Sequence, residues 1–268
     1  MGEAQKSLAT GVFGWSNYKL FEQTTVGVRY FGALTPEVQL TTVAAWEKRE
    51  MVANHRATNI FGKAAVPNDP LIQGKPMEPY EPDKIFRLDW QIDYVPGRHV
   101  VVIDDMNAVA QSPYPAFSIR TTSGYNGGMR YLSLELLVSG MRKAWRENQQ
   151  FIYQASAGYF PVNRKVLLMD RRHVRSSKFA LQNEFALTKF SLLDDYELST
   201  TKQWIEGHME WNNGFFYTQV HGVKVLDCMF HQEATAGITL LNLLRVGCSV
   251  GFDDLKYDGI ALNIDLKL

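Results

Sequence analysis

The side chains that most suggest chemistry are an acid–histidine–acid set spaced at every second residue. Glu206, His208 and Glu210 are expected on one face of a β-strand, because alternate residues of a strand point to the same side. Two carboxylates around an imidazole can bind a divalent cation. The favoured interpretation is instead a polar face whose charges pair with side chains of other strands. We therefore predict no metal site, and we expect Trp204 on the same face.

Two pairs of adjacent aspartates are the next candidates for chemistry, as acid–base catalysts. The carboxylates of Asp104-Asp105 and of Asp194-Asp195 are not expected to converge, because neighbouring residues of a strand point to opposite faces. Ser139-Gly140 and Ser249-Val250-Gly251 lack the spacing of a nucleophile elbow. No Lys-Ser or Lys-Thr follows the glycines of residues 124–128, as a phosphate loop requires. The sequence predicts no catalytic residue, no cofactor and no enzyme activity.

A cluster of basic residues follows at Arg171, Arg172, His173 and Arg175. Solvation on a loop is the favoured interpretation. On an external loop, Arg171, Arg172 and Arg175 could also contact the phosphates of lipopolysaccharide, since guanidinium groups bind phosphate in a bidentate way.

The composition excludes several classes of protein. Lys+Arg and Asp+Glu number 28 each, so the chain lacks the basic excess of a nucleic-acid binder. Cys228 and Cys248 are too few for a disulfide framework or a four-cysteine zinc site. No apolar run reaches the length of about 18 residues that a transmembrane helix needs. Residues 1–15 lack the basic and apolar regions of a signal peptide.

The elements that would position these residues are β-strands, because hydrophobicity alternates with a period of two. In residues 86–94, Phe, Leu, Trp, Ile and Tyr alternate with Arg, Asp, Gln and Asp, and Pro96-Gly97 then ends the pattern. Residues 260–268 alternate in the same way. Strands with two different faces are predicted at both places.

Weaker copies of the pattern give about eleven strands in total, many of them long enough to cross a membrane at a tilt. They are residues 18–31, 38–50, 86–94, 116–123, 130–141, 151–160, 202–211, 223–230, 233–241, 243–252 and 260–268. Long loops are predicted at about residues 51–83 and 162–198 of a single domain spanning 1–268. Residues 134–150 and 180–193 could alternatively form amphipathic helices.

The lengths of the connections agree with a membrane barrel. The last strand of an outer-membrane barrel ends in the periplasm, periplasmic turns are short and external loops are long. Counting back from the last strand, residues 51–83 and 162–199 fall on the external side and the turn at 34–37 falls on the periplasmic side. The connection at 96–115 is an unusually long periplasmic one.

Several segments resemble a known family. They are FSLLDDYELSTTKQWIEGHMEWNNGFF (190–216), EATAGITLLNLLRVGCSVGFDD (233–254), DGIALNIDLKL (258–268), YPAFSIR (114–120), ASAGYFP (155–161) and YKLFEQTTVGVRYF (18–31). They are similar to the barrel of a Bacteroidota outer-membrane family whose members carry a carboxypeptidase-regulatory-like domain ahead of that barrel. The resemblance implies a structural or transport element, and the name of the front domain implies no enzyme. Because this family's barrels follow a front domain and commonly end in an aromatic residue, the missing front domain, the non-aromatic Leu268 and the odd strand count lead us to expect a truncated or rebuilt chain, or a miscounted strand.

The resulting hypothesis is an all-β, antiparallel up-and-down transmembrane barrel of roughly 10–12 strands, either whole or truncated. It would lie in the outer membrane, with the lipid bilayer as its partner, as a platform without catalytic activity. The alternative is a soluble, calycin-like barrel that binds a small apolar ligand inside. The two differ in orientation, since a calycin has its apolar side chains inside and a membrane barrel has them outside.

Overall fold

The computed structural model describes the chain in several stretches. These are residues 17–56, 71–72, 75–76, 83–104, 107–143, 149–167, 170–174, 179–182, 187, 189–193, 198–241 and 243–267. This part of the chain is almost entirely β-structure. It contains no helix that is both long and apolar enough to cross a membrane.

Sixteen β-strands are present in the described residues. In chain order they are β1 (Asn17–Ala33), β2 (Val38–Arg56), β3 (Leu71–Ile72), β4 (Lys75–Pro76), β5 (Asp83–Tyr94), β6 (His99–Asp104), β7 (Asn107–Gln111), β8 (Ala116–Tyr125), β9 (Met129–Lys143), β10 (Gln150–Asn163), β11 (Phe179–Gln182), β12 (Gln203–Asn212), β13 (Phe216–Val225), β14 (Phe230–Leu240), β15 (Leu244–Asp253) and β16 (Lys256–Lys267).

Eleven of these strands form one antiparallel up-and-down sheet, as the alternation predicts. Its order is β1-β2-β5-β8-β9-β10-β12-β13-β14-β15-β16. The short β11 extends the sheet by pairing in parallel with the end of β16, from Phe179 opposite Ile264 to Gln182 opposite Lys267.

The sheet is open, which differs from the predicted barrel. Within the described residues, no ladder joins β1 to β16. Each strand of the meander reverses the direction of the one before, so the first and eleventh strands run the same way. Fully antiparallel closure needs an even number of strands, so β1 and β16 could pair only in parallel; in the described residues the sheet ends instead at β1 and at β11.

One predicted strand boundary is wrong. Residues 223–230 were expected to form a strand, but β13 ends at Val225 and β14 begins at Phe230. Asp227, in the turn between them, has a φ of 64°, a left-handed conformation that Asp tolerates better than most residues do. The apolar residues on both sides of the turn hid it.

The two proposed helices are also wrong where the structure describes them. Residues 134–143 belong to β9, and residues 179–182 form β11. The region predicted as a loop at 51–83 begins with the last residues of β2 and contains the short pair β3 and β4. The long connection at 96–115 carries the hairpin of β6 and β7.

The predicted distribution of connections between the two ends of the sheet is confirmed. Arg49 pairs with Asp83 at the end where β2 leaves the sheet, and Asn163 pairs with Tyr131 where β10 leaves it. Both long connections therefore leave the same end, and the turn at 34–37 lies at the other.

Candidate functional site

The outer face of the sheet is apolar and exposed. Ile205, Val220 and Leu262 keep 60%, 51% and 66% of their surface accessible. Other exposed side chains on this face are Val28, Trp46, Phe86, Trp90, Tyr94, Phe117, Ile119, Leu136, Phe151, Tyr159, Met209 and Ile260. A water-soluble monomer rarely exposes so large a continuous apolar surface.

The opposite face of the sheet, called the inner face below, is polar and buried. It carries both charges and hydroxyl groups, among them Glu47, Arg49, Ser156, Glu206, His208, Glu210, His221, His231, Glu233, Thr235, Arg245, Ser249 and Asn263. The predicted division of residues 86–94 is confirmed, because Phe86 and Trp90 lie on the exposed face while Arg87 and Asp89 form ion pairs on the inner one.

The acid–histidine–acid set lies on this inner face. Glu206, His208 and Glu210 are buried together with Trp204, as the strand geometry predicts. His208 Nε2 lies 2.8 Å from Glu206 Oε1. Glu210 accepts two hydrogen bonds from the Arg245 guanidinium, at 2.8 and 2.9 Å. The predicted pairing with other strands is present, and for Glu210 it reaches from β12 to β15.

A second cluster on this face was not singled out from the sequence. His231 Nδ1 lies 2.6 Å from Asp253 Oδ1, and His231 Nε2 lies 3.0 Å from Glu233 Oε1. Because carboxylates only accept hydrogen bonds, this arrangement suits an imidazole with a proton on both nitrogens. His231 and Glu233 have the same spacing of two as Glu206 and His208, so the same pattern could have identified them.

Two members of this second cluster, His231 and Asp253, also belong to the one group of potential metal ligands found among the described residues; the third member of that group is Asp258. Single ligand atoms of His231, Asp253 and Asp258 lie within 4.8 Å of one another. The contact of each ring nitrogen of His231 with a carboxylate favours a proton over a metal ion at Nδ1.

A chain segment at residues 189–193 lies against the inner face. The backbone N–H groups of Ser191 and Leu192 donate hydrogen bonds of 2.7–2.9 Å to the Glu233 carboxylate. Lys189 Nζ lies 2.5 Å from Asp265 Oδ1 on β16. The sheet therefore binds this segment through its backbone and through a charged side chain.

The Phe190 ring is the centre of this contact. It is fully buried. It packs at centroid distances of 5.4–5.7 Å against three imidazole rings, those of His208, His221 and His231. An aromatic side chain thus occupies a niche that is otherwise lined by titratable groups.

Residues 170–172 are held at a second place on the inner face. Asp170 accepts hydrogen bonds from Arg49 Nη1 at 2.7 Å and from the Tyr131 hydroxyl at 2.9 Å. Arg172 Nη2 lies 2.9 Å from Glu206 Oε2. The backbone of Arg172 forms an isolated antiparallel bridge with Thr200.

An apolar cluster fills the space between these two places. It consists of Ile85, Tyr131, Phe160, Val174, Phe190, Leu193, Leu198, Trp204, Val223 and Val225. The hydrophobic core thus lies on the inner face, between the sheet and the side chains of Val174, Phe190, Leu193 and Leu198.

The basic cluster of Arg171, Arg172, His173 and Arg175 lies partly against the inner face of the sheet. The Arg172 guanidinium is 5.9 Å from the centroid of the Trp204 ring, and His173 Nδ1 is 2.6 Å from Ser199 Oγ. Arg175 lies outside the described residues. Contact of this cluster with lipopolysaccharide remains a prediction.

A cleft of about 320 Å³, lined by both polar and apolar side chains, lies at the opposite end of the inner face, near the turn at 34–37. Its lining includes Gln39, Gln91, Asp93, Arg98 and Ser118.

The remaining aromatic, cysteine and aspartate residues are placed as follows. Trp46 and Tyr94 are exposed on the outer face and Trp211 is half-buried, whereas Trp145 lies outside the described residues. Cys228 and Cys248 are both free thiols. Asp105 and the Asp194-Asp195 pair also lie outside the described residues.

The fold and its two faces define a class: an all-β, up-and-down sheet that is apolar outside and polar inside. The chain belongs to the family described as "Family of unknown function (DUF5686) C-terminal domain", whose model matches residues 3–237. No curated protein matches the chain.

Proposed function

We propose that the chain is an outer-membrane β-barrel protein, a structural or transport-type platform of the cell envelope without catalytic activity. The observation that carries this proposal is the orientation of the two faces. Exposed apolar side chains cover the outer face, and buried charged side chains cover the inner one. A lipid bilayer is the solvent that makes such an outer face stable.

The connections add support. Both long connections leave one end of the sheet, where a bacterial outer-membrane barrel has its external loops. Closure of the eleven-stranded sheet into a barrel is part of the proposal. The proposal also includes a relationship of this chain to Bacteroidota outer-membrane proteins that carry a carboxypeptidase-regulatory-like front domain.

The alternative of a soluble, calycin-like protein is less well supported. Such a barrel binds an apolar ligand among apolar inner side chains. The inner face of this sheet instead carries Glu210, Arg245 and other buried charges, and its apolar residues already pack in one cluster with Phe190, Leu193 and Leu198.

The test is a comparison of extraction and electrophoretic mobility. Membranes that contain the chain are washed with plain buffer and then extracted with detergent, and the extract is run on a gel with and without boiling. We expect detergent to be required and the unboiled protein to migrate differently. A protein that stays monomeric in plain buffer would contradict the proposal.

A further inference from the structure

We propose that residues 189–193 are a latch that closes over the inner face of the sheet, and that Glu233 is the group that holds this latch closed. For the opening of a lumen, this inference rests on the proposed function. The docking of the segment itself does not depend on a membrane.

Glu233 binds the backbone of the segment and no side chain of it. Glu233 Oε1 and Oε2 accept hydrogen bonds from two consecutive backbone N–H groups, those of Ser191 and Leu192. Hydrogen bonds to a charged acceptor are about twice as strong as neutral ones. Loss of the carboxylate charge is therefore expected to weaken the docking of the whole segment.

The position of Glu233 is itself fixed by a hydrogen-bonded chain. Asp253 contacts His231 Nδ1, and His231 Nε2 contacts Glu233 Oε1. All three residues belong to β14 and β15. The surface that binds the latch is therefore preorganised before the segment docks.

The niche for Phe190 indicates that docking is reversible. Phe190 lies against His208, His221 and His231, whose side chains are polar. His221 Nε2 is buried and has no hydrogen-bond partner in the described part of the chain. Leaving a buried polar atom unpaired has a cost, and this cost is relieved when the segment leaves and water enters.

Residues 170–172 form a second anchor of the chain on the inner face, and we expect this anchor to stay in place when the latch opens. Asp170 is bound by Arg49 and Tyr131, and Arg172 combines an ion pair to Glu206 with a backbone bridge to Thr200. These polar contacts lie on β2, β9 and β12 and at Thr200, whereas the polar contacts of the latch lie on β14, β15 and β16; the Phe190 ring also packs against His208 on β12 and His221 on β13. The latch can therefore move without release of the second anchor.

The first experiment measures access to the latch. Ser191→Cys is introduced into a chain that also carries Cys228→Ser and Cys248→Ala, and its labelling by a charged, water-soluble maleimide is timed. Ser191 is buried, so labelling requires opening. We expect Glu233→Gln to raise the labelling rate at least about tenfold, because the opening equilibrium shifts.

The matched control is Glu210→Gln. Glu210 is also a buried carboxylate of the inner face, but it binds Arg245, Gln219 and Asn212 and not the latch. We expect its labelling rate to stay within about twofold of the parent. Equal acceleration by both substitutions would overturn the latch.

The second experiment keeps Glu233 and therefore does not depend on folding of the variant. Ser191 Oγ and Ser249 Oγ are 3.5 Å apart, so Ser191→Cys with Ser249→Cys places two thiols within reach of a disulfide. We expect the disulfide to form under mild oxidation. Failure to form it would overturn the docking of the segment.

The same disulfide tests closure. In liposomes that contain the locked protein, sugar uptake is measured before and after reduction. We expect reduction to raise uptake several-fold, and unchanged uptake would overturn the role of the latch in closure. A protein that cannot be inserted into liposomes would contradict the proposed function, whereas the labelling experiment would still decide the docking.

Discussion

The two faces of β13 place neighbouring residues in opposite environments. Val220 keeps 51% of its surface exposed, whereas His221, the next residue, keeps 2%. The exposed residue is the apolar one and the buried residue is the titratable one. This is the reverse of a water-soluble sheet, and it shows that the fold stabilises its interior by polar pairing and exposes its apolar side chains.

The largest expected effect comes from breaking a polar pair of the inner face. Arg245→Ala leaves Glu210 buried without its guanidinium partner and also removes the contact of Arg245 with the Tyr217 ring. We expect the free energy of unfolding to fall by about 3–5 kcal/mol. Urea titration of tryptophan fluorescence in lipid vesicles measures it.

Its control is an ion pair outside the sheet interior. Lys202 and Asp227 also form an ion pair, but their side chains are 54% and 65% exposed. Lys202→Ala is expected to cost about 0–1 kcal/mol. If both substitutions had equal effects, the inner charges would not be a buried network.

The next largest loss of stability is expected from a charge introduced on the outer face. Val220→Arg places a charge near the middle of β13 on the face that we assign to lipid. We expect it to reduce the stability in lipid vesicles by about 2–4 kcal/mol. Gln219→Arg is the matched variant, since Gln219 lies on the inner face beside Glu210.

The same titration in vesicles compares the two variants. We expect Gln219→Arg to be nearly neutral, because the inner face accommodates charge. A larger effect for Gln219→Arg than for Val220→Arg would reverse the assignment of the faces.

The sequence predicts this division of the sheet well. Alternation in residues 86–94 and in residues 260–265, the part of the last strand whose side chains the structure describes, correctly separated the exposed apolar residues from the polar ones. It also predicted that Glu206, His208 and Glu210 share one polar face. A period of two is a local property, and strand geometry converts it directly into two faces.

The docking of residues 189–193 on the inner face could not be predicted from this alternation. Residues 189–193 have no regular secondary structure, and their contacts join them to Glu233 and Asp265, more than forty residues away in the chain. The apolar inner residues Val223 and Val225 belong to one buried cluster with Val174, Phe190, Leu193 and Leu198. They interrupt the polar pattern of the inner face, and the predicted strand at 223–230 was wrong in this same region.

A third and smaller effect is expected at glycines. A Cβ on Gly237 would lie 2.4 Å from Val246 O and 2.7 Å from Tyr217 Cε1, whereas a Cβ on Gly207 would meet nothing within 4 Å. We expect Gly237→Ala to destabilise the sheet by about 1–3 kcal/mol. Gly207→Ala should leave the urea midpoint unchanged, and equal midpoints for the two variants would mean that the inner wall is not closely packed.

The smallest effect is expected from hydroxyl groups. Thr235 shares a buried hydrogen bond with Ser249 on the inner face, whereas Thr218 is exposed on the outer face. Thr235→Val should cost about 1 kcal/mol, and Thr218→Val should be neutral or stabilising in lipid. The sign of the difference, read from urea midpoints, is the result that matters.

The most direct test of the central claim is a scan of nitroxide labels along β13. Single cysteines at residues 218 to 223 are labelled in lipid vesicles, and their accessibility to oxygen, which dissolves in lipid, is measured. We predict high accessibility at 218, 220 and 222 and low accessibility at 219, 221 and 223. The opposite phase, or no alternation at all, would contradict a sheet whose outer face meets lipid.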